Sequence, residues 1–423
     1  QPWLLKQPYA LPGEFDSAFG DEPKGKQTAN YIRKANYQYG WDWGPRYVTL
    51  GIWQPVRLES WDEVRLSDFH IAQQHVDADL AQLQAETSVQ ADQPGKARLT
   101  VSWSDPDGSH QQASQGVELR KGDNALSLPI RIEHPRRWWP TGYGAQDMYR
   151  FEVTLSRDGD TLATASRATG LRSVELRRDK DQWGRGFAFV VNGVPVFAKG
   201  ANLIPFDSFP NRVTPERMAQ ILRSAHDANM NMLRMWGGGH YQSDAFYEEA
   251  DKLGLMIWQD FMFGGAIPPY DEAYRENTRI EAVEQVRRLR DHPSIVLWCG
   301  NNEVQTGWEA WPDRKALRQS LAPDEVARIE NGMKTLFGET LRSVVRENAP
   351  DVPYWASSPS TDYEGAANQL TDGDYHSWSV WSGSKPIEQY LSETPRFQSE
   401  YGLQSFPVMA TVRAFAEERD LEP

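Results

Sequence analysis

The feature that most constrains this 423-residue chain is a change of rhythm near residue 183. Upstream, polar and apolar residues alternate in strand-length pieces such as RLSDFHIAQQHV, KARLTVSW and MYRFEVTL. Turn signals separate them, including Asp105-Pro106-Asp107-Gly108 and Asp158-Gly159-Asp160. Short strands at that spacing predict a β-sandwich of about one hundred residues, over 64–178. Downstream, apolar strand-like runs alternate with helical patterns. PVFAKGANLIP precedes a helix opening at Thr214-Pro215-Glu216, an N-cap with proline at the first helical position. MNMLRMW precedes a helix over 243–253, GLMIWQDF one over 273–290, and IVLWCGNNE one over 325–347. VPYWASS, GDYHSW and PRFQSEYG follow, then a helix near 408–419. Seven strands, most of them followed by a helix, predict over 179–423 a (β/α)8 barrel whose eighth strand is absent. An open doubly wound sheet is the alternative. Gly237-Gly238-Gly239 does not support it, because it lacks the Lys-Ser/Thr of a phosphate loop and reads as a tight turn after strand two.

Composition narrows the function. A net charge of −14 argues against a nucleic-acid surface, which needs concentrated Lys and Arg. No run approaches the roughly eighteen apolar residues of a membrane span. Cys299 is the single cysteine, so no intrachain disulfide forms, and no HExxH or paired CxxC points to zinc. No metal or cofactor is expected. The compartment is open, with the periplasm or cell exterior favoured over the cytoplasm, and the oligomeric state is not legible. Seventeen tryptophans, several beside Gly, Asp, Asn and Pro, exceed what a core needs and suit platforms for the apolar faces of sugar rings.

In a (β/α)8 barrel the active site forms at the carboxyl ends of the strands. The polar and aromatic residues ending strand-like runs are Trp236, Asp260, Asn302, Glu303, His376, Trp378 and Glu400. Glu303 and Glu400 are 97 residues apart. A βα unit averages roughly 30 residues, so they belong to strands four and seven, facing each other across the mouth. Two facing carboxylates are what glycoside hydrolysis requires: one protonates the departing oxygen, the other attacks the anomeric carbon or activates water. Spacing alone does not separate that pair from helix-capping or surface charges.

The motifs do. WCGNNE (298–303) together with SEYGLQSFP (399–407) resembles glycoside hydrolase family 2, and within it the β-mannosidases. YQYGWDWGPRYVTLGIWQPVRLE (37–59) is similar to the end of that family's N-terminal sugar-binding jelly roll. RWWPTGYGAQDMYRFEVTL (137–155) and TGLRSVEL (169–176) resemble its immunoglobulin-like domain. KGANLIPFDSF (199–209) and RMWGGGHY (234–241) resemble its first barrel strands. Asn301-Asn302-Glu303 and Trp41-Asp42-Trp43-Gly44-Pro45 are mannosidase-like, whereas β-galactosidases and β-glucuronidases typically carry one Asn and lack that loop.

The resemblance implies an exo-acting retaining β-mannosidase that removes terminal non-reducing mannose from β-mannoside oligosaccharides or glycans. Glu303 matches the acid/base and Glu400 the nucleophile. Asn302 resembles the asparagine that contacts the sugar 2-hydroxyl, and Trp41 and Asp42 lie on the loop that binds the terminal sugar. Trp236, Asp260, Trp311, His376 and Trp378 are expected to line the pocket, although His376 also suits a hydrogen-bonded core position. Gly264-Gly265-Ala266 stands where family members often carry bulkier residues, so the pocket wall departs from theirs. The division expected is the end of the jelly roll over 1–63, the immunoglobulin-like sandwich over 64–178 and the barrel from 179. Missing parts at both ends suggest a fragment with open edges and an unfilled interior. The rivals are another family 2 exo-glycosidase, such as a β-galactosidase or β-glucosaminidase, and an inactive carbohydrate-binding homologue.

Overall fold

In the computed structural model, which describes residues 29–403 and 407–421, the alternating upstream pieces form two antiparallel sheets. The strands are β1 (Val64–Val76), β2 (Leu80–Ala91), β3 (Gly95–Ser104), β4 (His110–Leu119), β5 (Gly122–Glu133), β6 (Tyr149–Arg157) and β7 (Asp160–Thr169). One sheet has the order β1-β2-β5 and the other β4-β3-β6-β7. Side chains on a strand alternate between faces, so every second residue of β2 is buried. Phe69, Ile71, Leu83, Val89, Leu99, Val101, Val153 and Leu155 meet in one core between the sheets.

Next come β8 (Val174–Arg177), a ribbon of β9 (Lys180–Asp181) and β10 (Gly184–Arg185), then β11 (Ala188–Val191) and β12 (Val194–Val196). The parallel strands follow: β13 (Gly200–Leu203), β14 (Met232–Met235), β15 (Met256–Asp260), β16 (Ile295–Cys299) and β17 (Tyr354–Trp355), hydrogen-bonded in sequence order. β18 (Tyr375–Ser377) and β19 (Gln398–Tyr401) pair in parallel separately. Helices α1 (Pro215–Asp227), α2 (Asp244–Leu253) and α3 (Glu272–Leu289) connect β14, β15 and β16 to the strands before them. The Thr214 hydroxyl caps α1 by accepting from the Arg217 N–H, as its sequence predicts. α8 (Met409–Phe415) lies within the helix expected near 408–419.

The helix expected over 325–347 forms, running without a break through α6 (Pro323–Met333), a π-helical stretch over Lys334–Thr340 and α7 (Leu341–Asn348), and two further helices, α4 (Val304–Ala310) and α5 (Pro312–Ser320), precede it. Pro312 and Pro323 each open a helix, because proline lacks an N–H and is tolerated in the first turn. Residues 46–60, most of which lie in the stretch similar to the end of a jelly roll, form no strand. A strand needs a neighbour for its backbone groups, and no ladder is made to this segment among the described residues. Leu50, Ile52, Val56 and Leu58 are exposed there.

The expected unfilled interior is also corrected. Phe187 and Phe189, around the start of β11, pack with Trp258 of β15, Trp355 of β17 and Phe397 beside β19. Phe187 lies 5.0 Å from both Trp355 and Phe397, ring centre to ring centre. Aromatic bulk thus fills the space between the five-stranded and two-stranded sheets.

The sandwich grips the start of β16. Arg172 is 2% exposed and donates to the carbonyls of Pro293 (3.1 Å) and Ile295 (3.0 Å) and to Asp351 (2.8 Å). Trp138 is fully buried and donates from its indole to the Asp251 carbonyl at 2.8 Å. Truncating Arg172 strands an acid and two carbonyls away from water. We therefore expect Arg172→Ala to cost about 3 kcal/mol in urea denaturation. Arg136→Ala, which removes a half-exposed pair with Asp147, should stay within about 0.5 kcal/mol. Equal losses would contradict this assignment of the interface.

Candidate active site

β16 is buried throughout, and the chain turns sharply where it ends. A Cβ on Gly300 would collide with the Ala356 carbonyl and lie 2.6 Å from the Tyr354 hydroxyl. Asn301 is fully buried and anchors the turn. Its NH2 donates to the Ala356 carbonyl (3.1 Å), and its oxygen accepts from the Val304 N–H (3.0 Å) and the Ser357 hydroxyl (2.7 Å). The Asn302 backbone bonds to the Phe263 carbonyl (2.8 Å) and the Gly265 N–H (2.7 Å). Held on both sides, Glu303 adopts a left-handed conformation, φ 58° and ψ 12°, which costs a non-glycine residue roughly 1–3 kcal/mol. Its N–H donates to the Ser358 carbonyl at 2.7 Å, and its Oε1 lies 2.9 Å from His376 Nδ1.

Glu400 arrives from β19 and is buried. Its Oε1 accepts from Arg234 Nη1 at 2.5 Å. Its Oε2 is 3.3 Å from the Trp378 indole nitrogen and 3.4 Å from His376 Nδ1. One oxygen of Glu303, one of Glu400 and a His376 ring nitrogen all lie within 4.8 Å of one another. The carboxylates expected across the mouth therefore converge on one histidine.

Arg234, missed in the sequence, organises the floor. Besides Glu400 it donates to Asp260 (2.7 Å), Asn202 Oδ1 (3.0 Å) and Asn302 Oδ1 (2.9 Å). A guanidinium only donates, so the Asn302 atom facing it is the oxygen, and the NH2 is turned away from Arg234. Asp260, expected in the pocket wall, is instead fully buried, and its oxygens are taken by Arg234, the Trp258 indole (2.8 Å) and the Gly237 N–H (3.0 Å). It supports Arg234, because a carboxylate so saturated has no face left for a sugar.

Electrostatics follow from these contacts. Burial alone would push the Glu400 pKa up, but the charges of His376 and Arg234 outweigh it and hold the carboxyl below its ordinary value. Burial alone would lower the His376 pKa, and the adjacent Glu400 and Glu303 outweigh it and raise it. The Asp42 carboxyl is raised, first by burial and further by the charge of Glu400. Glu303, His376 and Glu400 offer one ligating atom each, a set an ion could use. An ion there would have to displace the hydrogen bond between His376 and Glu303 and sit beside the Arg234 guanidinium.

The remaining expected residues divide. Trp41 packs edge-on to buried Trp236 at 4.7 Å, and Trp43 does so at 5.8 Å. This aromatic wall is carried by residues 29–39, which dock on the mouth through Asn36 Oδ1, accepting from the Gly264 N–H at 3.0 Å, and the Tyr37 N–H, donating to the Gly238 carbonyl at 3.0 Å. A Cβ on Gly264 would come within 2.6 Å of the Gly238 Cα, which explains the small residue there. Trp378 is 37% exposed beside Glu400. Trp311 stands half-buried over Gly307 of α4, the helix that starts directly after Glu303. Asp374, Ser358 and Ser399 were also missed. Asp374 was findable, since alternate residues of a strand share a face and Asp374 lies two before His376.

Comparison with known proteins agrees with this architecture. Residues 64–172 match the model for glycosyl hydrolases family 2, and residues 6–54 match the glycosyl hydrolase 2 galactose-binding domain-like model. Two segments of the chain are thus of glycoside hydrolase family 2 type. It is 36% identical to a β-mannosidase from Capra hircus over 94% of its own length and 46% of the relative's. It is 35% identical to β-mannosidase B from Aspergillus clavatus over 91% and 45%. The crystal structure of a β-D-mannosidase from Dictyoglomus thermophilum superposes on 99% of this chain and 49% of that one, with TM-score 0.88 and 35% identity. A Bacteroides uniformis β-glucuronidase, 21% identical with TM-score 0.58, shares the fold. The chain thus spans about half the length of the relatives it matches.

Because the folded Glu400 pKa is depressed, its ionised form stabilises the protein above the unfolded value of about 4.3, and that contribution is lost as pH falls through the folded pKa. Arg234→Met removes one of the two cations that hold it low. The acid limb of the variant's kcat/KM profile should therefore move to higher pH, and the fold should lose stability at a higher pH on acidification. An unmoved acid limb would contradict the pairing.

Proposed function

We propose that this protein is an exo-acting retaining β-mannosidase, cleaving terminal non-reducing β-D-mannose from oligosaccharides or glycans by double displacement. The observation that carries this reading is the approach of Glu303 and Glu400 oxygens to within 4.8 Å. Retaining glycosidases hold their two carboxyl groups roughly 5–5.5 Å apart, whereas inverting enzymes leave roughly 6.5–9.5 Å for a water. Glu400, kept ionised by Arg234, attacks the anomeric carbon. Glu303 gives its proton to the departing oxygen, then as a carboxylate accepts one from the water that hydrolyses the glycosyl ester.

The β-mannosidase relatives support mannose as the sugar. In our reading Asn302, its carboxamide oxygen held by Arg234, offers its NH2 to the sugar 2-hydroxyl. Trp41 and Asp42 wall off the far side of the pocket, which confines action to a chain end. The finer architecture belongs to the same reading. Residues 29–63 belong to the end of a jelly roll, whose expected residues 1–28 lie outside the described residues, 64–178 form an immunoglobulin-like sandwich, and the seven parallel strands from 179 onward are strands one to seven of a (β/α)8 barrel. The aromatic cluster around Phe187 supports that curvature.

Among aryl β-D-mannoside, β-D-galactoside, β-D-glucoside and β-D-glucuronide, the mannoside should be hydrolysed in preference. A 2-fluoro-mannosyl reagent should label Glu400, and Glu400→Ala should abolish turnover. Glu303→Ala should lose about 10²- to 10⁴-fold on substrates with poor leaving groups and far less on activated aryl mannosides, which need little protonation. Preference for another sugar would overturn the specificity, and labelling elsewhere would overturn the nucleophile. Silence on all four, with no label, would favour a carbohydrate-binding homologue.

A further inference from the structure

His376 is placed in the reaction by the chain of hydrogen bonds behind it. Asp374 is fully buried, and four donors reach its carboxylate. Oδ1 accepts from the Trp355 indole (2.8 Å) and the Ser360 N–H (2.9 Å). Oδ2 accepts from the hydroxyls of Ser358 (2.5 Å) and Ser399 (2.6 Å). A carboxylate engaged by four donors accepts only, so the single proton of the Ser358 hydroxyl is committed to it. Ser358 Oγ also lies 3.1 Å from His376 Nε2. With its own proton spent, Ser358 can only accept there, so Nε2 carries a hydrogen. The opposite ring nitrogen, Nδ1, faces Glu303 Oε1 at 2.9 Å and Glu400 Oε2 at 3.4 Å, two acceptors when ionised. Among the described charged groups nearby, Arg234 opposes a positive histidine, and the carboxyls of Asp260 and Asp42 act on the cluster through Glu400.

Resting on the glycosidase reading of Glu303 and Glu400, we propose that His376 stores the catalytic proton. In the resting enzyme it is an imidazolium, with Nε2–H fixed on Ser358 and Nδ1–H shared with Glu303. When substrate binds, the Nδ1 proton passes to Glu303 Oε1. Glu303 then delivers it to the glycosidic oxygen as the bond from that oxygen to the anomeric carbon breaks and the bond from Glu400 forms. His376 is left neutral, with a bare Nδ1 lone pair toward the Glu303 carboxylate. That lone pair no longer holds Glu303, which is released to take a proton from the attacking water as the ester is cleaved, and the proton returns to Nδ1. The summed charge of Glu303, Glu400 and His376 is −1 before substrate binds and −1 in the glycosyl-enzyme, so the buried site never has to accommodate a change in net charge. His376 is a positioning residue: it acts through Glu303 and needs no contact with the sugar.

Nitrogen-15 NMR of histidine in the full-length protein tests this without relying on turnover. At neutral pH His376 should show both ring nitrogens protonated. After trapping with a 2-fluoro-glycosyl reagent it should become neutral with its hydrogen on Nε2. A resting His376 that is neutral, or one that stays cationic after trapping, overturns the proposal. Kinetics supply a second readout. His376→Gln should move the alkaline limb of kcat/KM to lower pH by at least one unit, with a loss at pH 7 that is greater for poor leaving groups than for dinitrophenyl glycosides. Ser358→Ala, which frees Nε2, should shift the limb the same way by less. A loss that is uniform across pH and leaving group would make His376 merely structural and overturn the proposal, even with Glu400 labelled and mannosides cleaved. Absence of labelling and of activity on every glycoside would instead overturn the glycosidase reading, and this inference with it.

Discussion

Removing a guanidinium from water costs several kcal/mol unless its donors are met, and the carboxyl ends of the parallel strands are arranged to meet those of Arg234. Asp260 from β15, Glu400 from β19, Asn202 from β13 and Asn302 after β16 all turn an oxygen toward it. The arginine thereby ties four strand ends to one point. Because it is buried and cannot lose its charge, it also fixes the ionisation of Glu400 on its inner side. The rest of the site is built outward from that ion pair.

The two adjacent asparagines illustrate the division of labour. Asn301 spends its whole carboxamide on the backbone and on Ser357, holding a turn that forces Glu303 into a left-handed conformation. Asn302 spends only its oxygen, on Arg234, and so presents an oriented NH2. Strain at Glu303 is tolerated because the hydrogen bonds on either side fix the backbone, and it aims the carboxyl at His376 and Glu400. The sandwich adds rigidity from below, where Arg172 clamps the segment that enters β16 and Trp138 holds the end of α2, which leads into β15.

Much of this was legible in the sequence, for definite reasons. Alternation with period two exposed the sandwich, and the alternation of apolar runs with helical patterns exposed the parallel strands, since both periodicities report directly on which face is buried. Glu303, Glu400, His376 and Trp378 were findable as polar or aromatic groups ending such runs. Arg234 was not, although a lone charge inside the apolar strand Met232–Met235 was a usable signal. Asp260 was assigned to the pocket because strand position says that a side chain is near the mouth but not which partner saturates it. Ser358 left no trace, because a serine in an irregular loop acquires its role only when the loop folds under β18. The helix expected over 325–347 forms, but the π-helical stretch within it, Lys334–Thr340, leaves no mark in helix propensity.

The account rests most heavily on the closeness of the two glutamates, since that distance separates a covalent intermediate from direct attack by water. Following the first turnover of an aryl β-D-mannoside by proton NMR would read it out as stereochemistry. The account predicts that β-mannose appears first and that the α anomer grows in only at the rate of spontaneous mutarotation. Initial release of α-mannose would mean inversion, and would contradict the assignment of Glu400 as a nucleophile held beside Glu303.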